Sequence, residues 1–421
     1  MKYSAILIAF FTTLVQCYDY ALFGLSAAVL SKIFMSNCSS EEQLQNFFAV
    51  FSAAVIMKPV GAIIFGKIAD KYGRATSVKF AAATAALSTT LIGLTPGFDY
   101  LGWWATGILT FCRMIFLMSL AGEIDTTRIY ISEKMGSNKN FANGILSFCS
   151  QSGALLAAIS YHYATKSEIP DLWRLNFIIG GTLGGLILLM RNYFQESEEF
   201  LKYKASRKNL SKDSSDKLFN IITLNKSKFI TSLLISGCAG GIYHFLIIFF
   251  GTFNLKILNA FTREEAQLLN ITLISTYSFA ALISGWLADR IYPFKQIKLA
   301  IIISFILALV LQVIFIQDLK FAKYAIIVLV GLMPFYTVPL HIIIQSLFTV
   351  EIRVRMCSLS HALGGMIFSS TTPFLCMLIW RYTHSLNLVL AYFMMLVAMI
   401  LGAVFYLRAR LLKHSLNHTH L

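Results

Sequence analysis

Asp19, Lys58 and Arg113 each stand inside a stretch of apolar residues long enough to cross a bilayer. An ionisable side chain at that depth costs roughly 2.5–3.5 kcal/mol on insertion scales, so each needs a partner, a cavity or a task. At a rise of 1.5 Å per residue, Asp19 lies roughly 20 Å from the start of its stretch, and Lys58 and Arg113 about 11 residues into theirs. All three therefore fall near one depth and are expected to form one polar cluster. Arg or Lys suits a substrate carboxylate, the guanidinium fork through two parallel hydrogen bonds. A desolvated Asp19 can exchange a proton. Two cations against one anion leave the cluster positive, which favours a substrate that carries a carboxylate. The bland alternative is a buried ion pair that only fixes helix packing.

Further along the stretch that holds Arg113 come Glu123, Asp125 and Arg128. At about 100° per residue, Asp125 and Arg128 are about 60° apart and can pair as a structural or gate contact. Glu123 faces elsewhere and is a second proton-site candidate, or the partner of a neighbouring helix. Softer candidates for a cavity lining are Tyr18 beside Asp19, Gln151, Tyr243-His244, His341, Gln345 and His361. A histidine in an apolar span is more often a satisfied packing residue. His414, His418 and His420 near the end read as a solvated tail, so no metal site is expected. The seven cysteines have no CxxC spacing and read as small buried hydrophobes.

The elements that must position these residues follow from composition. The 421 residues are 57% hydrophobic and 13% charged, with a mean hydropathy of +0.69. A soluble domain carries about 25% charge, and no single globular core absorbs such an apolar excess. The apolar runs are continuous rather than alternating, so an all-α polytopic membrane protein is expected rather than a barrel. Spans are read at 6–31, 47–68, 76–94, 102–124, 141–163 and 174–190, then at 229–252, 265–288, 297–316, 323–347, 357–379 and 386–407. These make twelve transmembrane helices in two pseudo-symmetric six-helix bundles. The domains are 1–190, a basic cytoplasmic linker 191–228, 229–410 and a cytoplasmic tail 411–421. The first stretch is too long for a cleaved signal.

The net charge of +15 fits Lys/Arg-rich cytoplasmic loops rather than nucleic-acid binding. With both termini inside, the cytoplasmic side carries roughly three times the Lys and Arg of the outer side. Trp103 and Trp104 then sit where an aromatic belt belongs. The halves also echo one another. The second span ends Gly66-Lys67-Ile68-Ala69-Asp70-Lys71-Tyr72-Gly73-Arg74, and the eighth ends Gly285-Trp286-Leu287-Ala288-Asp289-Arg290. Asp70 can cap the helix that follows it and pair with basic groups; a plain topology loop is the alternative. Such a repeat places a substrate site near the midplane between the halves.

At these residues the chain resembles the major facilitator superfamily, whose loop between helices 2 and 3 reads Gly-x-x-x-Asp-basic-x-Gly-Arg. A narrower resemblance rests on Tyr18-Asp19-Tyr20-Ala21-Leu22-Phe23-Gly24, Lys58-Pro59-Val60-Gly61, Ala121-Gly122-Glu123, Trp173-Arg174-Leu175, Glu196-Ser197-Glu198-Glu199-Phe200, and Ile367-Phe368 through Thr372-Pro373. These are similar to the metabolite:proton symporters, which include proline/betaine, 2-oxoglutarate, citrate and shikimate carriers. The resemblance implies proton-driven uptake, by alternating access, of a small zwitterion or organic acid into a bacterial cytoplasm by a monomer. It implies no cofactor, the proton gradient being the energy source. It also implies a gate at Asp70 and Arg74, with Asp289 and Arg290 in the same role in the other half and Arg353 and Arg355 as cytoplasmic partners. The chain departs from the group after Arg113, after Glu123, at His361-Ala362, after the tenth span and at Ile291-Tyr292-Pro293. Substrate identity therefore does not transfer.

Other classes fit less well. No HExxH, GxSxG or GxxxxGK[ST] occurs, which argues against a membrane enzyme or an ATP-driven pump. A proton-antiporting exporter would have a Pro in its Gly-rich fifth span, and residues 144–160 hold none. A non-transporting sensor descended from a carrier is the remaining alternative.

Overall fold

The computed structural model describes residues 2–35, 43, 46–47, 50, 53–166, 171–190, 196, 200–201, 218–250, 253, 261–317 and 319–418. Among them the chain is helical, as it must be where no water satisfies backbone groups. The principal helices are α1 (Lys2–Leu25), α2 (Ala27–Phe34), α3 (Met57–Tyr72), α4 (Arg74–Leu94), α5 (Trp103–Met135), α6 (Lys139–Lys166) and α7 (Leu172–Met190). They are followed by α8 (Lys226–Tyr243), α9 (Arg263–Ala288), α10 (Pro293–Gln317), α11 (Leu319–Ser346), α12 (Arg353–Gly364), α13 (Thr372–Thr383) and α14 (Leu386–His418).

Ten stretches of the described residues are long and apolar enough to cross a membrane. One of them, Trp103–Ala164, covers the fourth and fifth expected spans. The second expected span, 47–68, lies partly outside the described residues, which include 47, 50 and 53 onward, with α3 starting at Met57. Most of the basic linker, Cys38 and the tail histidine His420 also lie outside them.

Helix boundaries have local causes. Gly73 separates α3 from α4 at φ +119, a conformation only glycine takes without strain. Thr262 and Glu265 form a reciprocal capping box ahead of α9. Pro334 and Pro339 lie within α11. Pro373, inside the apolar stretch Arg353–Thr383, occupies the first turn of α13, where a missing N–H is harmless. Wide π-type turns follow α8 at His244–Phe249 and α12 at Gly365–Ser369.

The chain forms two compact units. One comprises Met1–Gly136, Leu146–Lys212 and Thr349–Leu359, the other Ser137–Ile145, Asp213–Phe348 and Ser360–Leu421. In the first, α4 packs on α5 and α7, α3 on α5, and α1 on α7. In the second, α10 packs on α11 and α14, α9 on α11, and α8 on α14. The same four pairings recur at equivalent places, so the internal repeat seen in the sequence is a repeat of packing. The first unit is centred on Leu22, Phe23, Phe34, Phe47, Leu109 and Phe177. Large apolar side chains such as Phe80, Leu87, Phe111 and Phe279 stay exposed, as does the Trp103-Trp104 pair. That pattern suits a lipid-facing surface.

Candidate functional site

Successive residues of α1 point about 100° apart, and Tyr18, Asp19 and Tyr20 accordingly meet different neighbours. The Tyr18 hydroxyl lies 3.0 Å from Ser160 Oγ of α6 and 3.5 Å from the Asn176 carbonyl of α7. Asp19 is 5% exposed. Thr89 Oγ1 of α4 donates to its Oδ2 at 3.4 Å, and its Oδ1 has no hydrogen-bond partner among the described residues. Oδ1 instead rests against Gly180 of α7, where a Cβ would stand 2.0 Å from it.

Tyr20 faces the other way. Lys58 Nζ lies 5.1 Å from its ring centroid and Arg113 Cζ 5.3 Å. Arg113 is enclosed by Phe23 at 4.2 Å and Phe116 at 5.1 Å, donates to the Tyr20 carbonyl at 3.5 Å, and is 1% exposed. The aromatic faces take the place of water around a guanidinium that the bilayer would otherwise penalise. Lys58 is half-buried, and among the described residues no carboxylate pairs with it. The expected cluster of Asp19, Lys58 and Arg113 thus takes a particular form. The two cations converge on Tyr20, and Asp19 makes its hydrogen bond to Thr89 in an adjacent seam.

Farther along α5, Glu123 and Asp125 are buried and Arg128 is half-buried. Asp125 lies within Coulombic reach of Cys357, and Arg128 within reach of Cys17. Gln151 is half-buried on α6, next to Ser150, whose hydroxyl meets Cys17 Sγ at 3.0 Å.

The paired Gly-x-x-x-Asp endings do the same local work twice. Asp70 Oδ2 accepts from the Arg355 backbone N–H at 3.2 Å and from its Nε at 3.5 Å, at the start of α12. Asp289 accepts from the Asn140 N–H at 3.1 Å, Asn140 Nδ2 at 2.8 Å and the Phe141 N–H at 2.8 Å, at the start of α6. A carboxylate at a helix N-terminus satisfies otherwise unpaired amides and meets the positive end of the dipole. The glycine four residues earlier makes the approach possible. A Cβ on Gly66 would fall 2.8 Å from Arg355 Cα, and one on Gly285 2.5 Å from the Asn140 carbonyl oxygen. Burial pushes the Asp70 carboxyl up to about 7, against the pull of Arg74 and Arg355. Arg290 Cζ lies over the Trp286 ring, 3.7 Å from its centroid.

One expectation is corrected here. Asp70 does not cap α4; its hydrogen bonds go to Arg355. The first amides of α4 are taken by Glu196, which accepts from Arg74 N at 3.0 Å and Ala75 N at 3.2 Å. Arg74 is fully buried. Its guanidinium donates to the Val350 carbonyl at 2.8 Å and the Ala69 carbonyl at 3.3 Å, lies 3.5 Å from Glu133, and covers the Phe200 ring at 4.6 Å. Arg353 meets the same Glu133 at 3.0 Å. Sequence reasoning missed Glu133 and the roles of Tyr20 and Glu196. The only signals were the place of Tyr20 and Glu196 within motifs already singled out.

In the second unit, the Tyr243 and Tyr277 rings meet edge-on at 5.7 Å, and the Tyr277 hydroxyl lies 3.4 Å from Thr337 Oγ1. His244 Nδ1 lies 2.9 Å from the Gly240 carbonyl and 2.8 Å from Ser369 Oγ, tying the two π-type turns together. His341 and His361 stand 6.1 Å apart, centroid to centroid. Gln345, four residues after His341 on α11, is buried. Among the described residues, no group of three His, Cys, Asp or Glu is arranged to hold a metal ion.

Two units that repeat the same helix pairings, with ionisable groups held inside apolar spans, define a membrane transporter rather than an enzyme. The chain belongs to the Major Facilitator Superfamily, whose profile matches residues 9–359. It is 24% identical over 398 residues to the proline/betaine transporter of Escherichia coli K12, covering 91% of this chain and 79% of that one. It is 26% identical over 280 residues to the citrate-proton symporter of Salmonella typhi, covering 65% and 63%. Both come from the group that the motifs resemble. The fold is shared with the proton:xylose symporter XylE at a TM-score of 0.76 and 17% identity, over 97% of this chain and 95% of that one.

Proposed function

We propose that the chain is a proton-coupled symporter of a small carboxylate-bearing metabolite or zwitterionic osmolyte, working by alternating access. The observation that carries this reading is the Lys58–Tyr20–Arg113 arrangement. A half-buried ammonium without a carboxylate partner among the described residues, backed by a second cation across one ring, is an anion-binding element. Tyr18, Gln151, Tyr243, His244 and His341 complete the candidate substrate ligands. Asp19 carries the proton and Glu123 is a second proton-site candidate. Asp70, Arg74, Asp125, Arg128, Asp289 and Arg290 form gates. The relatives' names, a proline/betaine transporter and a citrate-proton symporter, support both the substrate class and proton coupling. The same reading places the protein in a bacterial cytoplasmic membrane as a monomer with both termini cytoplasmic. It is driven by the proton gradient without a cofactor.

The test is uptake of labelled proline, betaine, citrate and 2-oxoglutarate into proteoliposomes, with and without an inward proton gradient. Gradient-stimulated accumulation of one compound, lost in Asp19→Asn, is expected. Exchange that ignores the gradient would leave a facilitator and remove Asp19 from its role. No movement of any of the four would count against this substrate class.

A further inference from the structure

Gly180 looks at first like one of several small residues that let helices pack. Its surroundings say more. The ideal Cβ position at Gly180 is occupied by the Asp19 carboxylate, 2.0 Å from Oδ1. That oxygen is buried and has no hydrogen-bond partner among the described residues, while Oδ2 takes the Thr89 hydroxyl. The missing side chain therefore leaves the seat that the carboxylate fills. The seat lies in the seam of α1, α4 and α7, whereas Lys58 and Arg113 gather on Tyr20, the next residue of α1.

We infer that Gly180 is a positioning residue for Asp19: it seats the carboxylate in a buried seam, on a different face of α1 from Tyr20 and the two cations gathered on it. The inference rests on the reading of Asp19 as the proton carrier. A carboxylate oxygen that accepts no hydrogen bond among the described residues leaves a site for a proton in such a seam. The groups around it are few. On α1 itself Tyr18 and Cys17 are the titratable neighbours, and α5 contributes the charge of Arg113. From α4 comes Thr89 and from α7 Gly180, both uncharged. From α6, Ser160 meets Tyr18 and Ser150 meets Cys17, while Arg128 of α5 acts on Cys17. No step of proton transfer to the substrate is needed; the proton rides on Asp19 while the anion rides on Lys58.

The experiment is infrared titration of the buried carboxyl C=O band of the full-length protein in lipid, which needs no substrate. Wild type is expected to show a band that disappears in Asp19→Asn and is separate from that of Asp70, which titrates near 7. Gly180→Ala drives a methyl into the carboxylate and is expected to move the band's pH midpoint by about one unit. Thr89→Val keeps the shape and removes the hydroxyl, and is expected to move the midpoint by a smaller step; it carries the test if Gly180→Ala does not fold. Wild-type midpoints in both folded variants would overturn the positioning role and leave Asp19 as proton carrier. A spectrum in which Asp19→Asn removes nothing would overturn the proton reading and this inference with it.

Discussion

Glu196→Ala should unfasten the first turn of α4, and the size of the effect follows from its contacts. Glu196 accepts from two consecutive amides, at 3.0 and 3.2 Å, at the start of a 21-residue helix. Removing a side-chain cap costs about 0.5–2 kcal/mol. Losing a negative charge at the positive end of the dipole adds about 0.3–1 kcal/mol. Glu196 is only half-buried, so the sum is taken near the middle, about 2 kcal/mol. That free energy corresponds to about 30-fold in the local opening equilibrium. Hydrogen exchange followed by mass spectrometry should therefore show the amides of Arg74 to Val78 exchanging about 30-fold faster, with α11 unchanged as an internal control. Glu196→Gln keeps an acceptor oxygen and loses only the charge, so about 1 kcal/mol, or about 5-fold, is expected. Unchanged protection in the alanine variant would refute the capping assignment. An equal effect in both variants would refute the division between hydrogen bond and charge.

Lys58→Gln should raise the KM for the transported compound by about 10- to 150-fold, the worth of one charge-assisted hydrogen bond, with a smaller change in maximal rate; initial-rate uptake reads both. Gly66→Ala and Gly285→Ala force a methyl against backbone at 2.8 and 2.5 Å. Each should cost about 1–3 kcal/mol, seen as a lower melting temperature in detergent, whereas Gly107→Ala, with open space around it, should not. Folded Asp70 holds its proton up to about pH 7, whereas an unfolded carboxyl releases it near 4. Its contribution to stability is therefore complete below pH 4 and lost as pH rises through about 7. Asp70→Asn should flatten the fall in melting temperature between pH 5 and 8.

The membrane architecture was legible in the sequence because it depends on local composition. A run of apolar residues must become a helix in lipid whatever its neighbours are, and a repeated Gly-x-x-x-Asp ending marks equivalent places in two halves. Lys58, Asp19 and Arg113 were likewise conspicuous, since a charge in an apolar run stands out without any knowledge of its partner. What the tertiary structure decided was direction and company. Asp19 and Tyr20 are adjacent in sequence, yet helical rotation sends one to Thr89 and Gly180 and the other to Lys58 and Arg113. Glu196 reaches Arg74 across more than a hundred residues, and Gly180 reaches Asp19 across a similar distance. Periodicity gives each helix its faces but not the face it meets. The cap on α4 and the seat of the carboxylate emerge only when the helices are packed together.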